Sequence, residues 1–359
     1  MSAADYFRKK IKQNETLYFW GRVLQNCRNR EYRQWVVDVT DHPAVARLEH
    51  RGDKFPNQRF YRIDLDDWHG NSGFFALFNG TVQRLEMADR LGAAPEISWT
   101  HTAYSDPEIG RKENVFEYYF EQPCTVSVRE LEQAKNVIFS RPGDGFPKRE
   151  DAQYLSLEPY LDEAAALVGK YIHLRQEVSA RLEEDYKSLG AEPETTLGVH
   201  VRGTDYFRDL NGHPKAVSFQ EYLDKTLELA DRHGVSKVFL ATDDARAVEV
   251  FREALGPRLV LYGDTLRGSG RTGVHYQGAG EASGFRMGYE VLRDALTLSR
   301  CRYFVGGMSQ VSLAVRLFNR AYGTPFDDVC LFDKGLNHNP RVTSAKLNDV
   351  YFAKKKTSE

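Results

Sequence analysis

From Thr195 onward the chain alternates between two kinds of segment, and that alternation narrows the folds open to it more than any other feature. Residues 197–201, 237–242, 258–262 and 303–306 are short runs rich in β-branched and other apolar side chains, the pattern of buried strands. Residues 218–233, 246–255, 288–299 and 310–319 instead repeat apolar side chains at the helical period. Strand and helix in strict turn predict a parallel sheet with helices on both faces, because parallel neighbours need a crossover and a helix supplies it. In open sheets of this kind ligands sit outside the carboxyl ends of the strands. The residues at those ends are therefore the informative ones.

The preceding half carries a weaker version of the same signal. Residues 34–39 and 59–65 read as strands, and the second runs into the loop Asp66-Asp67-Trp68-His69-Gly70-Asn71-Ser72-Gly73. A helical pattern follows over 74–91, Gly92 stops it, and residues 95–99 read as another strand. This is a second βαβ unit, with its loop where such units bind ligands. Residues 114–122 are dense in aromatics, which suit a sugar-stacking surface or a hydrophobic plug. Residues 142–147 are rich in turn formers, and residues 158–189 form one long amphipathic helix or a pair. Gly190 to Glu194 breaks that pattern and marks a domain boundary. The organisation expected is a first domain with its linking helix over 1–190, a second domain over 191–340, and a tail or helix over 341–359. Two Rossmann-like α/β domains would face each other across a cleft, a common place for a ligand.

With 359 residues, 41% hydrophobic and 28% charged, the chain is long enough for two cores and has the composition of a globular protein. A formal charge of -2 without a basic stripe argues against nucleic acid as a partner. Cys27, Cys124, Cys301 and Cys330 are scattered, with no metal-ligand or redox pair, which fits a reducing compartment. The first twelve residues lack a signal-peptide core and no run is long enough to span a bilayer, so a cytoplasmic protein is expected.

Polar residues gather where the second-half strands end. Leu197 to Val201 runs into Arg202-Gly203-Thr204-Asp205, residues 237–242 into Asp243-Asp244, and residues 303–306 into Gly307-Met308-Ser309-Gln310 at a helix start. Backbone N–H groups at such a start point at anions. With Arg202 and the basic loop carrying Arg267 and Arg271, they suggest a pyrophosphate clamp, with Asp243 and Asp244 accepting hydrogen bonds from a ribose or base. Each piece also has a plainer use. Arg202 and Asp205 would serve equally as a salt bridge closing the turn, Asp243-Asp244 as a helix cap, and the glycines as a packing turn.

These residues also carry a resemblance. Gly198-Val199-His200-Val201-Arg202-Gly203-Thr204-Asp205 resembles the first motif of the GDP-fucose-dependent fucosyltransferases, which include core α1,6-fucosyltransferases, rhizobial nodulation fucosyltransferases and protein O-fucosyltransferases. Phe239 to Asp244 resembles the second motif, and Ser309-Gln310-Val311 with the strand before it the third. The three occur in order over roughly residues 165–320, while the first half is similar in outline only, at Gly70 to Gly73 and the helix after it. The resemblance implies a GT-B glycosyltransferase of two facing Rossmann-like domains, inverting and metal-independent, with no cofactor. It implies that Arg202 holds the diphosphate and stabilises the leaving GDP, that His200 and Asp244 contact the guanosine, and that Ser309 and Gln310 lie near the phosphates. Two departures stand out. Gly203 replaces a second arginine of the core fucosyltransferases, leaving Arg267 or Arg271 to share the diphosphate, and Leu210, beside Asp209, falls where their proposed base is a glutamate.

The expected reaction is transfer of L-fucose from GDP-fucose to a glycan hydroxyl in surface polysaccharide or glycoconjugate synthesis, with peripheral membrane association compatible with such an acceptor. Asp205 and Asp209 are the candidate bases beside Arg202. Asn71, Gly73 and Tyr118, with Trp68, His69 and Tyr119, are candidates for the acceptor side. Asp64-Leu65-Asp66 has the spacing of a manganese-binding pair but reads as a strand end. The alternatives are a transferase of another nucleotide sugar, such as GDP-mannose or a UDP-sugar, and a non-catalytic nucleotide-sugar binder on the same fold.

Overall fold

A computed structural model describes residues 14, 17, 20, 24, 47–67, 72–106, 108–109, 114–141, 143–147, 149, 151, 154–192, 195–268, 283–323 and 325–338. The chain divides into two compact units, Met1–Ala46 and Arg47–Glu359. In the first, Leu17 N donates to Asn14 Oδ1 at 3.0 Å. The strand expected at 34–39 and the tail at 341–359 lie outside the described residues.

The second unit is α/β with largely parallel sheets. Its first half runs β1 (Arg47–Glu49), β2 (Phe60–Asp66), α1 (Phe74–Arg90), β3 (Ala94–Thr100), β4 (Phe120–Glu121), α2 (Val128–Leu131), β5 (Val137–Phe139), α3 (Leu161–Tyr171), β6 (His173–Leu174) and α4 (Gln176–Ser188). The sheet order is β1-β5-β2-β3, with β2 parallel to both neighbours and β1 antiparallel at the edge. The long helical pattern over 158–189 resolves into α3 and α4, separated because His173–Leu174 leaves the helical path to pair with Phe120–Glu121.

The second half continues with β7 (Thr196–Val201), α5 (Phe219–His233), β8 (Lys237–Thr242), α6 (Ala245–Leu255), β9 (Leu259–Val260), α7 (Gly284–Arg300), β10 (Tyr303–Gly307), α8 (Gln310–Tyr322) and β11 (Asp328–Phe332). Local chemistry explains the boundaries. Ser218 and Glu221 form a capping box at the start of α5, and Gly234 ends it in a left-handed conformation at φ 64°. Five parallel strands lie in the order β11-β10-β7-β8-β9. Counted from β7, this is the first five strands of the doubly-wound order, so the chain reverses its direction of winding between β7 and β10. Such a reversal opens a crevice at the carboxyl ends of the two strands.

Helices of the two halves pack together. The Phe318 ring of α8 lies 6.0 Å from that of Phe75 and 4.9 Å from that of Phe78, both on α1. The α3–α8 contact carries the Arg320–Asp162 ion pair, 2.5 Å apart, and Tyr322 Oη donates to the carbonyl of Val168 at 3.2 Å. No helix among the described residues is long and apolar enough to cross a membrane.

Candidate functional site

The site is built around the end of β7. Period-two alternation sends Leu197, Val199 and Val201 into the apolar core shared with α5 and α6, and turns His200 to the opposite face. There His200 Nδ1 lies 3.0 Å from Ser312 Oγ in the first turn of α8. Ser309, the N-cap of that helix, accepts from Ser312 N at 3.0 Å, and its hydroxyl donates to Ser312 Oγ at 3.1 Å. Ser309 Oγ also lies 3.5 Å from Nδ1, so the ring nitrogen and the two hydroxyls form one buried cluster. Burial, helped by the Arg202 charge, holds the His200 pKa down at about 3, so the ring is neutral.

That depression has a sign that can be checked. The unfolded ring binds a proton below its ordinary pKa of about 6.5, whereas the folded one resists down to about 3. Stability contributed above that ordinary pKa is therefore lost as pH falls toward the lower value. Between pH 6 and 4, wild-type stability should change by about 1.4 kcal/mol per pH unit more steeply than that of His200→Gln. Equal slopes in urea titrations of the two proteins would refute the buried neutral assignment.

Beyond Val201 the turn is organised by two carboxylates at the end of β8. Asp243 Oδ1 accepts from Gly203 N at 2.9 Å, and Oδ2 accepts from Arg202 Nη1 at 2.9 Å and from Thr204 Oγ1 at 2.7 Å. Asp244 is 0% exposed and caps α6. Its Oδ1 accepts from Arg246 N and Nε at 2.9 Å each, and its Oδ2 from Arg246 Nη2 at 2.6 Å and Thr204 N at 3.1 Å. Burial alone would raise its pKa, but the Arg246 guanidinium and two backbone N–H groups outweigh burial and hold it below the usual carboxylate range. These bonds keep Thr204 at φ 42°, a sparsely populated conformation for a β-branched residue. Asp209, at φ 51°, ends the 3-10 turn Thr204–Arg208 in the left-handed region.

The loops after β7 and β10 meet across the crevice. Tyr206 Oη donates to the carbonyl of Met308, and the Arg202 guanidinium carbon lies 5.5 Å from the centre of the Tyr206 ring. Gly307, at the end of β10, leaves room for Tyr222 of α5: a Cβ there would stand 2.3 Å from Tyr222 Oη. Tyr206 thus links the end of β7, which carries Arg202, to the loop leading into α8, where Ser309 and Gln310 lie. Two cationic devices at one mouth, a guanidinium and a helix N-terminus, suit a diphosphate.

The other candidates have more varied places. Arg267 turns onto its own loop, donating to the carbonyls of Thr265 at 3.1 Å and Tyr262 at 2.8 Å, while Gly268 N bonds the Asp243 carbonyl at 2.9 Å. Gly73 precedes α1 with open space where a Cβ would be, and Phe74 N donates to Tyr104 Oη at 2.9 Å. Tyr118 is buried in an aromatic cluster with Tyr119 and Phe285. Asp66 Oδ1 pairs with His101 Nδ1 at 2.8 Å, and Asp64 lies on the same strand β2. Among the described residues no group of three or more His, Cys, Asp or Glu side chains is gathered to hold a metal ion. Trp68, His69, Asn71, Arg271 and the side chain of Asp205 lie outside the described residues.

Two contributors carried no signal of their own in the sequence. Tyr206 reads there as one more residue after the strand, and Asn79 as a polar interruption of an apolar helix face. Asn79 Nδ2 in fact donates to the Gln310 carbonyl at 3.0 Å and to Gln310 Oε1 at 2.7 Å. Only the packing of α1 against α8 brings these residues together.

No family model matches the chain, and no curated protein matches it. Among solved structures it is similar to NodZ alpha-1,6-fucosyltransferase soaked with GDP-fucose, at 18% identity and a TM-score of 0.41, covering 73% of this chain and 93% of that one. Fucosyltransferase NodZ from Bradyrhizobium gives 20% identity and a TM-score of 0.40, with the same coverage. POFUT1 in complex with GDP-fucose gives 13% and 0.43, covering 77% of this chain and 98% of that one. At TM-scores below 0.5 these are loose likenesses of shape.

Proposed function

We propose that the chain is an inverting, metal-independent glycosyltransferase that moves L-fucose from GDP-fucose to a hydroxyl of a glycan acceptor, with residues 191–340 holding the donor and residues 1–190 reading the acceptor. The observation that carries this reading is the convergence of Arg202 and the Ser309-capped start of α8 at the reversal point of a doubly-wound sheet. The motif resemblance supplies the identity of the donor.

Transfer is one in-line displacement. The acceptor oxygen bonds to the anomeric carbon as the bond from that carbon to the phosphate oxygen breaks, and that electron pair leaves with GDP. Arg202 and the N–H groups opening α8 meet the growing charge on the diphosphate, already oriented before reaction. Asp243 prepares Arg202 by fixing one of its terminal nitrogens. The acceptor proton passes to a nearby carboxylate, with Asp205 and Asp209 the candidates. Glycan acceptors of surface polysaccharide or glycoconjugate synthesis in the cytoplasm fit a soluble donor of this kind.

The deciding experiment is a GDP-fucose hydrolysis assay without acceptor, followed by an acceptor screen. Slow GDP release, accelerated by one acceptor class, is expected. Binding of GDP-fucose without turnover under any acceptor would instead make the chain a nucleotide-sugar binder. At a concentration about 100 times Kd, GDP should stabilise the fold by about 2.7 kcal/mol, while UDP should leave the thermal midpoint in place. A larger shift with UDP would move the assignment to a UDP-sugar transferase. Turnover should survive a chelator at full rate, and strict dependence on added Mn²⁺ would overturn metal independence.

A further inference from the structure

Asn79 stands on α1, in the first half of the second unit, yet both bonds its amide nitrogen makes go to a residue of the donor crevice. It is 5% exposed and lies among apolar neighbours of the α1–α8 contact, where an amide is costly unless it is bonded. The Gln310 main-chain carbonyl can only accept, which fixes the nitrogen of the Asn79 amide on that side. The second hydrogen of the same nitrogen then meets Gln310 Oε1, so the oxygen of the Gln310 amide is held toward Asn79 and its nitrogen, with two donors, faces away. Among the described residues Asn79 Oδ1 is buried without a partner, so the bonds its amide makes there go to Gln310. Gln310 is the first residue of α8, beside the helix N-terminus.

We propose that Asn79 is a positioning residue for the donor site: it sets which way the Gln310 amide points, so that Gln310 Nε2 donates toward the diphosphate or the sugar. This rests on the reading of the α8 amino terminus as part of the nucleotide-sugar site. It also means that the half assigned to the acceptor helps to build the donor pocket, so a change in α1 reaches the leaving group through one side chain.

The test uses the near-isosteric Asn79→Asp, which keeps the volume and removes both donors. A carboxylate facing two carbonyl oxygens repels them and attracts the Gln310 nitrogen instead, turning that amide round. Turnover of GDP-fucose, read as kcat/KM, should fall about tenfold, the scale of one oriented hydrogen bond. In a Gln310→Ala background, which keeps the main-chain carbonyl but has no side-chain amide to turn, the same substitution should lower kcat/KM of the folded protein far less. Asn79→Ser, which releases the amide without burying a charge, should show the same lack of additivity if the Asp variant folds poorly. Full additivity in both backgrounds would overturn the proposal, since a merely structural role is indifferent to Gln310. A second readout needs no activity: in protein with ¹⁵N-labelled side-chain amides, the Gln310 Nε2 protons should exchange with water several-fold more slowly in Asn79→Asp than in wild type. Unchanged exchange would refute the orientation itself. Absence of wild-type turnover alongside slowed exchange would instead point to failure of the functional reading.

Discussion

Arg202→Ala is expected to lower transfer from GDP-fucose by about 10²–10³-fold or more, the cost of deleting one preorganised donor to a developing oxyanion. The loss should fall on kcat and kcat/KM together, because the further charge the diphosphate takes up as its bond to the sugar breaks develops in the transition state. The fold should survive. Arg202 is 21% exposed, and its removal leaves Asp243 still accepting from Gly203 N and Thr204 Oγ1. A stability loss near 1 kcal/mol, ordinary for a partly exposed substitution, is the expected accompaniment. Near-normal turnover in a folded Arg202→Ala protein would remove Arg202 from the mechanism. Arg202→Lys should recover little, since one ammonium cannot grip both Asp243 and a phosphate as a planar guanidinium can.

Gly203→Ala is expected to damage the fold strongly although it adds only one methyl group. Its φ of -119° is not left-handed, and the obstacle that stands out is space. An added Cβ would stand 2.4 Å from Asp244 Cβ, 2.6 Å from Oδ2 and 2.9 Å from Cγ. Asp244 cannot yield, because Thr204 N and three nitrogens of Arg246 hold its carboxylate from several directions. Overpacking of this kind typically costs about 1–3 kcal/mol, and displacing a buried carboxylate from its partners adds to that. Urea unfolding should register the loss, and transfer should fall with it because the same turn aims Arg202. In an Asp244→Gly background, which removes all three of the contacted atoms, adding Gly203→Ala should cost far less. Equal costs in both backgrounds would show that the contact does not limit this position. With Asp244 placed as it is, the space beside Gly203 admits no side chain.

Much of the fold was legible in the sequence because the second half repeats one local rule. Strands β7, β8 and β10 and helices α5, α6 and α8 begin within a residue of where periodicity put them, since each carries its own period and, for the helices, its own cap. Elements whose reason lies elsewhere in space were not legible. β1 and β5 have three residues each and exist because they pair with each other and β5 with β2. β11 has no run to mark it and is formed by pairing with β10. The strand expected over 258–262 shrinks to Leu259–Val260, because β8 offers it only Val238 and Phe239 at the sheet edge. The start of α7 moves earlier, to Gly284, since the Ser283 side chain caps the helix there.

The sequence by itself determined the class of fold, the strand ends that carry polar side chains, and Arg202, Asp243, Asp244, Ser309 and Gln310 as their occupants. Those are local properties, written in residue type and spacing. Only the tertiary structure decided that β7 and β10 are neighbours on either side of the reversal, that Asp243 holds Arg202 while Asp244 closes the space beside Gly203, and that Asn79 reaches Gln310 from the other half. Strand order and side-chain partnership depend on which surfaces bury one another, and segments hundreds of residues apart meet only when the whole chain has packed.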